Sequence, residues 1–199
     1  MAGRMTRAAG LSAALLTGAA QAATVTFQTS EPSGRALDSV VVTLLPVARG
    51  ALPPPRPASI EQVRKTFVPL VSVVQTGAAV EFPNNDTVRH HVYSFSASKV
   101  FELKLYAGTP ARPVVFDKPG VVVLGCNIHD RMLAYIMVAD TPWFAVSGDD
   151  GTAKVADLPP GDYLLQAWHP RRLGMPDLPP RPIRVSADMT EPVTVDLKP

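Results

Sequence analysis

The chain has 199 residues, of which 46% are hydrophobic and 18% charged, so it can bury a core and is not a disordered tail. Its 21 prolines are about twice the usual share of roughly 5%, which disfavours long helices and favours short strands joined by turns. Once residues 1–22 and their two arginines are set aside, 17 basic residues balance 17 acidic ones. No basic run remains, which argues against a nucleic-acid binder.

The first 22 residues have the pattern of an export signal. Two arginines precede a short apolar stretch at residues 11–20, and Ala20-Gln21-Ala22 has the small-x-small spacing of a cleavage site. The apolar stretch is about half of the roughly 20 residues that a bilayer span requires, and no later segment reaches that length. We therefore expect cleavage after Ala22, a periplasmic location and no transmembrane segment.

Short apolar runs between turn signals follow in chain order and predict an all-β fold. Turn signals such as Asn84-Asn85-Asp86 and Asp150-Gly151 separate the runs, and the prolines of residues 53–57 predict a stiff connector. Such spacing is typical of β-sandwiches and barrels. The predicted strands lie at residues 25–27, 40–45, 60–67, 70–75, 79–82, 91–95, 100–106, 114–116, 121–124, 133–138 and 163–168.

The single cysteine, Cys126, has no partner for a disulfide within the chain. A lone thiol in an oxidising compartment tends to be oxidised or cross-linked unless something holds it. A bound metal is one group that would hold it.

Cys126 opens a C-x2-H-x2-M motif with His129 and Met132, and His90-His91 lies upstream at the start of another predicted strand. One thiolate, two imidazoles and a thioether form the ligand set of a blue-copper electron-transfer site, since soft sulfur suits Cu(I) and imidazole suits both oxidation states. Zinc is the nearest alternative, with Asp130 as a fourth ligand. However, Asp130 directly follows His129, which makes joint coordination awkward, and the methionine would then have no role.

The same loop resembles that of amicyanin, and its surroundings resemble the cupredoxins in general. The stretches FPNNDTVRHHVYSFS, FDKPGVVVLGCNIHDRM and YIMVADTP are similar to periplasmic, plastocyanin-like proteins that are often labelled methylamine utilisation proteins. The resemblance covers residues 58–142. It implies a cupredoxin Greek-key β-sandwich with one type 1 copper that carries single electrons, without enzymatic activity of its own.

The resemblance also implies a role for each residue of the motif. Cys126 would be the thiolate ligand, His129 the exposed loop ligand and electron port, and Met132 the axial ligand. A soluble or membrane-bound redox protein, such as a c-type cytochrome or a dehydrogenase, would dock transiently near His129, and we expect the chain to be a monomer. The alternative functions are a copper storage or sensing module and a structural β-sandwich protein.

The upstream ligand has two candidates. Cupredoxins often have His-Asn at this point, which places His90 on the metal and His91 in the asparagine position. Strand alternation favours the other choice, because His91 would share one face with Tyr93 and Phe95. A β-bulge would reconcile the two, and we favour His90.

The segments on either side, residues 24–46 and 147–198, are similar to the carboxypeptidase regulatory-like, or prealbumin-like, β-sandwich. Neither segment has enough strands for a stable sandwich alone. We therefore expect residues 23–50 and 143–199 to pack together as a smaller module, with the cupredoxin domain of residues 58–142 inserted between them. The alternative is one continuous sandwich extended by edge strands.

Overall fold

The computed structural model describes residues 21–197, and within this range the chain folds into strands and one short 3-10 helix. The all-β fold predicted from the sequence is confirmed. Residues 1–20 of the predicted export signal lie outside the described range. The strands are β1 (Ala23–Ser30), β2 (Val41–Pro46), β3 (Ala58–Ser59), β4 (Glu61–Val63), β5 (Thr66–Val68), β6 (Val71–Gln75), β7 (Ala78–Glu81), β8 (His90–Ser96), β9 (Lys99–Tyr106), β10 (Val114–Phe116), β11 (Gly120–Gly125), β12 (Leu133–Ala139), β13 (Phe144–Val146), β14 (Thr152–Leu158), β15 (Gly161–Trp168), β16 (Arg181–Val185) and β17 (Met189–Thr194), and the helix is Pro170–Arg172.

The first two strands pair with the last five, and together they form what we call the flanking region. One sheet has the order β14-β1-β17, and the other has the order β13-β2-β15-β16. Alternate residues of these strands point between the sheets, as expected for strands with one buried face. They enclose an apolar core that includes Val25, Phe27, Leu44, Leu158 and Tyr163.

Strands β3–β12 form the central region. A five-stranded sheet with the order β6-β12-β11-β8-β9 faces a three-stranded sheet with the order β10-β7-β3, and β4 and β5 form a separate hairpin. Phenylalanines and aliphatic side chains fill the space between them, including Phe67, Phe82 and Phe116. Cys126 and Met132 belong to the same buried cluster, so the predicted ligand loop is anchored in this core.

The single strand predicted over residues 60–67 is wrong, because the chain turns back there as the hairpin β4–β5. Arg64 and Lys65 form the turn with φ of 51° and 56°. Both central residues of the tightest hairpin turns need positive φ, which Gly, Asn and Asp usually supply. Arginine and lysine are not typical of such turns, so the turn could not be predicted from the sequence.

The two regions meet along one face of the five-stranded sheet. Val41 and Trp168 of the flanking region pack on Val71 of the central region, and the rings of Trp168 and Tyr135 lie 5.8 Å apart. The flanking region thereby covers the outer face of β6, β12 and β11, whereas Phe95 on β8 remains 81% exposed. No helix within residues 21–197 is long and apolar enough to cross a membrane.

Candidate metal centre

Three of the predicted ligands converge at one end of the central region. His90 begins β8, Cys126 directly follows β11, and His129 lies in the loop that leads to β12. The Sγ atom of Cys126 lies 3.9 Å from Nδ1 of His90 and 3.8 Å from Nδ1 of His129. One possible ligand atom from each of the three residues lies within 4.8 Å of the other two. Bonds of about 2.0–2.3 Å to a shared ion would place two donors at most about 4.3 Å apart, so both cysteine–histidine distances suit one ion.

Burial separates the inner donors from the outer one. His90 is fully buried and Cys126 is 4% exposed, whereas His129 is partly exposed at the surface. Met132, the predicted axial ligand, is 2% exposed and lies in the same apolar cluster as Cys126. Its backbone N–H donates to the carbonyl of His129 at 2.9 Å, which closes the loop into a turn. The loop therefore holds its donors in a mostly dry pocket with one edge at the surface.

Asp130, the additional ligand required by the zinc alternative, is exposed. Within residues 21–197, the cluster of His, Cys, Asp and Glu side chains that could hold an ion contains only His90, Cys126 and His129. The donor set that converges is therefore one sulfur and two imidazole nitrogens. One soft sulfur and two imidazoles would suit copper, whereas a closed zinc site would need a further nitrogen, sulfur or carboxylate donor.

The two adjacent histidines point to opposite faces of β8. His90 lies on the inner face toward Cys126, and the pairing of β8 with β9 shifts register between His90 and Val92, as a bulge would. His91 lies on the outer face, where its ring is 5.6 Å from that of Tyr93. The rings of Tyr93 and Phe95 follow at 5.2 Å, so the alternation of these three aromatic residues holds, but on the face away from the metal centre.

Sequence reasoning missed Asp86, which it assigned only to a turn. The Oδ2 atom of Asp86 lies 3.0 Å from Nε2 of His90 and accepts the backbone N–H of Lys65 at 2.6 Å. Its Oδ1 atom accepts the backbone N–H of Thr87 at 2.9 Å. The hydrogen bond with His90, together with the two backbone donors, lowers the pKa of Asp86 to about 2. In the sequence, Asp86 lies four residues before His90. This spacing in a loop does not predict their contact, because the position of Asp86 also depends on the distant Lys65.

A half-buried tyrosine, Tyr106, packs against the apolar cluster that contains Cys126. The hydroxyl of Tyr106 donates to the carbonyl of Phe82 at 2.7 Å, and the side-chain amide of Gln62 donates to the Tyr106 oxygen. Burial raises the pKa of Tyr106 to about 12, and the nearby Cys126 also contributes to raising it. Tyr106 is therefore neutral at physiological pH and adds no charge to the site.

The residue before Cys126 is a glycine for a steric reason. A Cβ atom built on Gly125 would lie 2.7 Å from Cζ and 2.8 Å from the hydroxyl of Tyr93. The two residues are cross-strand partners on β11 and β8. Glycine thus lets the Tyr93 ring lie flat against the backbone next to the thiol.

Over part of its length, the chain is similar in fold to solved cupredoxins. A purple cupredoxin from Nitrosopumilus maritimus has 22% identity and a TM-score of 0.37, over 41% of this chain and 99% of that chain. A reduced amicyanin variant has 16% identity and a TM-score of 0.37, over 49% of this chain and 98% of that chain. A copper-containing nitrite reductase from Thermus scotoductus SA-01 has 30% identity and a TM-score of 0.40, over 47% of this chain but only 25% of that chain.

No protein-family model and no curated protein sequence matches the chain. At such identities the likeness to solved structures concerns the fold. The chemistry of this chain depends on its own side chains.

Proposed function

We propose that this chain is a periplasmic type 1 copper protein that carries single electrons between redox partners. The observation that supports the proposal most directly is the convergence of Cys126, His90 and His129: the Cys126 Sγ atom lies 3.9 Å and 3.8 Å from the two Nδ1 atoms. The burial of Met132 beside this cluster adds a thioether to the same part of the core. Cysteine, two histidines and a weak methionine are the ligand set of blue-copper electron-transfer sites.

The chain's own residues set the conditions for one-electron chemistry. Copper bound by this set would supply the redox couple. His90 and Cys126 would hold it from the buried side, and the apolar cluster around Cys126 would exclude water from the sulfur, which tunes the potential of such sites. Three donors come from one short loop and a strand of the same sheet, so little needs to move between oxidation states.

His129 is the residue best placed to pass an electron to a partner. It is the partly exposed member of the donor cluster, and Ile128 beside it is 49% exposed. Leu133, directly after Met132, is 40% exposed. A partly exposed ligand in a loop with exposed apolar residues suits a small and short-lived interface, as redox encounters require. A c-type cytochrome or a dehydrogenase that docks near His129 is the kind of partner this surface would serve.

The flanking region borders the same surface. A cleft of about 460 Å³ has Leu70 and Leu133 of the central region on one side and Arg35, His169 and Arg171 of the flanking region on the other. A partner that docks near His129 and reaches Leu133 would therefore also lie close to the flanking region. We include in the proposal the division into an inserted central domain, residues 58–142, and a flanking module, residues 23–50 with 143–199.

The proposal is tested by loading the processed protein with one equivalent of Cu(II) and recording its voltammogram. We expect a reversible one-electron wave, and we expect the Cu(I) protein to reduce one equivalent of hexacyanoferrate(III) while it keeps its copper. Loss of copper on reduction would contradict electron transfer and would favour storage or sensing. A Zn(II)-loaded sample serves as the control, because it has the same fold and no accessible redox couple.

A further inference from the structure

A carboxylate contacts the ring nitrogen of His90 that faces away from Cys126. His90 is fully buried, and the Asp86 side chain is 12% exposed. The 3.0 Å separation between Nε2 and Oδ2 is an ordinary N–H···O hydrogen-bond distance. An ionised carboxylate only accepts hydrogen bonds, so the proton of this bond lies on Nε2. In the tautomer with this proton, the ring has its lone pair on Nδ1, the atom that points to the Cys126 sulfur.

Asp86 is itself held by two other parts of the chain. The backbone N–H of Lys65, in the β4–β5 turn, donates to the same oxygen that His90 contacts, and the N–H of Thr87 donates to the other oxygen. The backbone N–H of Asp86 donates to Oδ1 of Asn84 at 3.0 Å. With three donors on the carboxylate and a fixed backbone, Asp86 has little freedom to swing away from His90.

His91, the residue after His90, forms a second histidine–carboxylate pair, which lies away from the metal centre. Nε2 of His91 lies 2.9 Å from Oε1 of Glu102, and the Glu102 side chain is 53% exposed. His91 faces the outer side of the sheet, and its buried Nδ1 atom has no hydrogen-bond partner within residues 21–197. The chain therefore contains two adjacent histidine–carboxylate pairs, of which only the first points its free nitrogen at a cysteine.

We propose that Asp86 is the positioning residue of the metal centre: it fixes His90 with the proton on Nε2 and a lone pair on Nδ1, and its negative charge favours Cu(II) over Cu(I). The first part concerns the protein without metal, and the second part rests on the proposed copper function. Carboxylates behind metal-bound histidines act in this way, by setting the tautomer and raising the basicity of the ring.

The first test reads the tautomer directly in the metal-free protein. Long-range 1H–15N correlation spectra distinguish a proton on Nε2 from one on Nδ1. In the wild-type protein we expect His90 to carry its proton on Nε2. In Asp86→Ala we expect a mixture of tautomers, whereas Glu102→Gln should change His91 and leave His90 as it was.

The second test measures the reduction potential of the copper-loaded protein. Asp86→Asn keeps the size of the side chain and removes its charge. We expect it to raise the ratio of Cu(I) to Cu(II) affinity about tenfold, which for one electron is a rise of about 59 mV in potential. Glu102→Gln removes the same charge from the matched pair, and we expect a much smaller rise. A change in the electron paramagnetic resonance spectrum should accompany the first substitution and not the second.

The two tests separate failure of this inference from failure of the proposed function. A wild-type His90 with its proton on Nδ1, or an unchanged tautomer in Asp86→Ala, would overturn the positioning role even if the protein binds copper. Equal potential shifts in Asp86→Asn and Glu102→Gln would overturn the charge effect. A wild-type protein without a type 1 copper spectrum would overturn the proposed function and the charge effect, while the tautomer result would still decide the positioning role.

Discussion

The flanking and central regions are both built from packed β-sheets, but they treat buried polar groups differently. In the flanking region such groups are bonded within the fold: the hydroxyls of Thr29 and Ser147 both donate to the carbonyl of Leu37. The two buried side-chain atoms that lack a hydrogen-bond partner within residues 21–197 belong to Gln62 and His91, both in the central region. The same region gathers His90, Cys126 and His129.

The largest effect is expected from Cys126→Ser, which removes the only thiolate from the donor cluster. The protein should keep its β-sheet circular dichroism, because the substitution is nearly isosteric. Its intense visible absorption with Cu(II) should disappear, since that band requires sulfur bound to the metal. A coloured Cys126→Ser protein would show that another group forms the copper chromophore. His91→Gln, on the outer face, is the control and should keep the colour.

A core truncation in the flanking region should lower stability without altering the metal centre. Phe27 is fully buried between the flanking sheets, and Phe27→Ala should lower the free energy of unfolding by about 3–5 kcal/mol. Below its unfolding transition the variant should show the wild-type copper spectrum. Phe116→Ala is the matched control in the central core, where Cys126 and Met132 also pack. An altered copper spectrum in folded Phe27→Ala would mean that the two regions share the site.

A methyl group at Gly125 should disturb the backbone next to the thiol. Its Cβ would overlap the Tyr93 ring, and such overpacking costs about 1–3 kcal/mol of the free energy of unfolding. We expect Gly125→Ala to shift the visible band as well, and the double variant with Tyr93→Leu to recover most of the stability. Gly50→Ala, where a Cβ would meet nothing within 4 Å, is the control. Equal effects at both glycines would refute the close contact.

The smallest expected effect is a pH dependence of the protein's stability, caused by His169 in the flanking region. Burial lowers the pKa of His169, whose Nδ1 accepts the backbone N–H of Arg171 at 3.1 Å. Because the folded state binds the proton less readily than the unfolded state, stability should fall as the pH drops below the ordinary histidine pKa of about 6.5. The loss should level off below the folded-state pKa. Thermal unfolding between pH 7.5 and 5 should show this slope in the wild-type protein.

His169→Asn keeps a side-chain acceptor for the same N–H and cannot be protonated in this range. We expect its melting temperature to depend less on pH than that of the wild-type protein. Identical slopes in the two proteins would show that His169 does not contribute. The copper spectrum should be the same in both, because His169 lies in the flanking region.

The parts of the site that could be predicted are those whose residues lie close together in the sequence. Cys126, His129 and Met132 belong to one seven-residue loop, so their spacing alone brings the first two together. The choice between His90 and His91 required information beyond strand alternation. Alternation shows which residues share a face of the strand, but it does not show which face meets the core. Exposed Phe95 shows that the aromatic face points outward, contrary to the usual preference of large apolar residues. Asp86 is held by the backbone N–H of Lys65, which is distant in sequence, and no local pattern indicates that contact.

The fold was predictable where strands carry apolar runs with clear turn signals. Strands β6 to β12 lie within one or two residues of their predicted positions. The β4–β5 turn was missed because Arg64 and Lys65 adopt positive φ without glycine or asparagine. Strands β16 and β17 were missed because their exposed outer faces and prolines weaken the apolar signal; β17, for example, contains Pro192. Their place in the fold depends on pairing with β15 and β1, which lie far away in the chain.

The most direct test of the proposed function is the visible absorption spectrum of the processed protein after addition of one equivalent of Cu(II). We predict an intense blue or green thiolate-to-copper band that disappears with a reductant and returns with an oxidant. A colourless protein whose Cys126 thiol still reacts freely would contradict the proposal, because the one sulfur in the donor cluster would then not bind the metal.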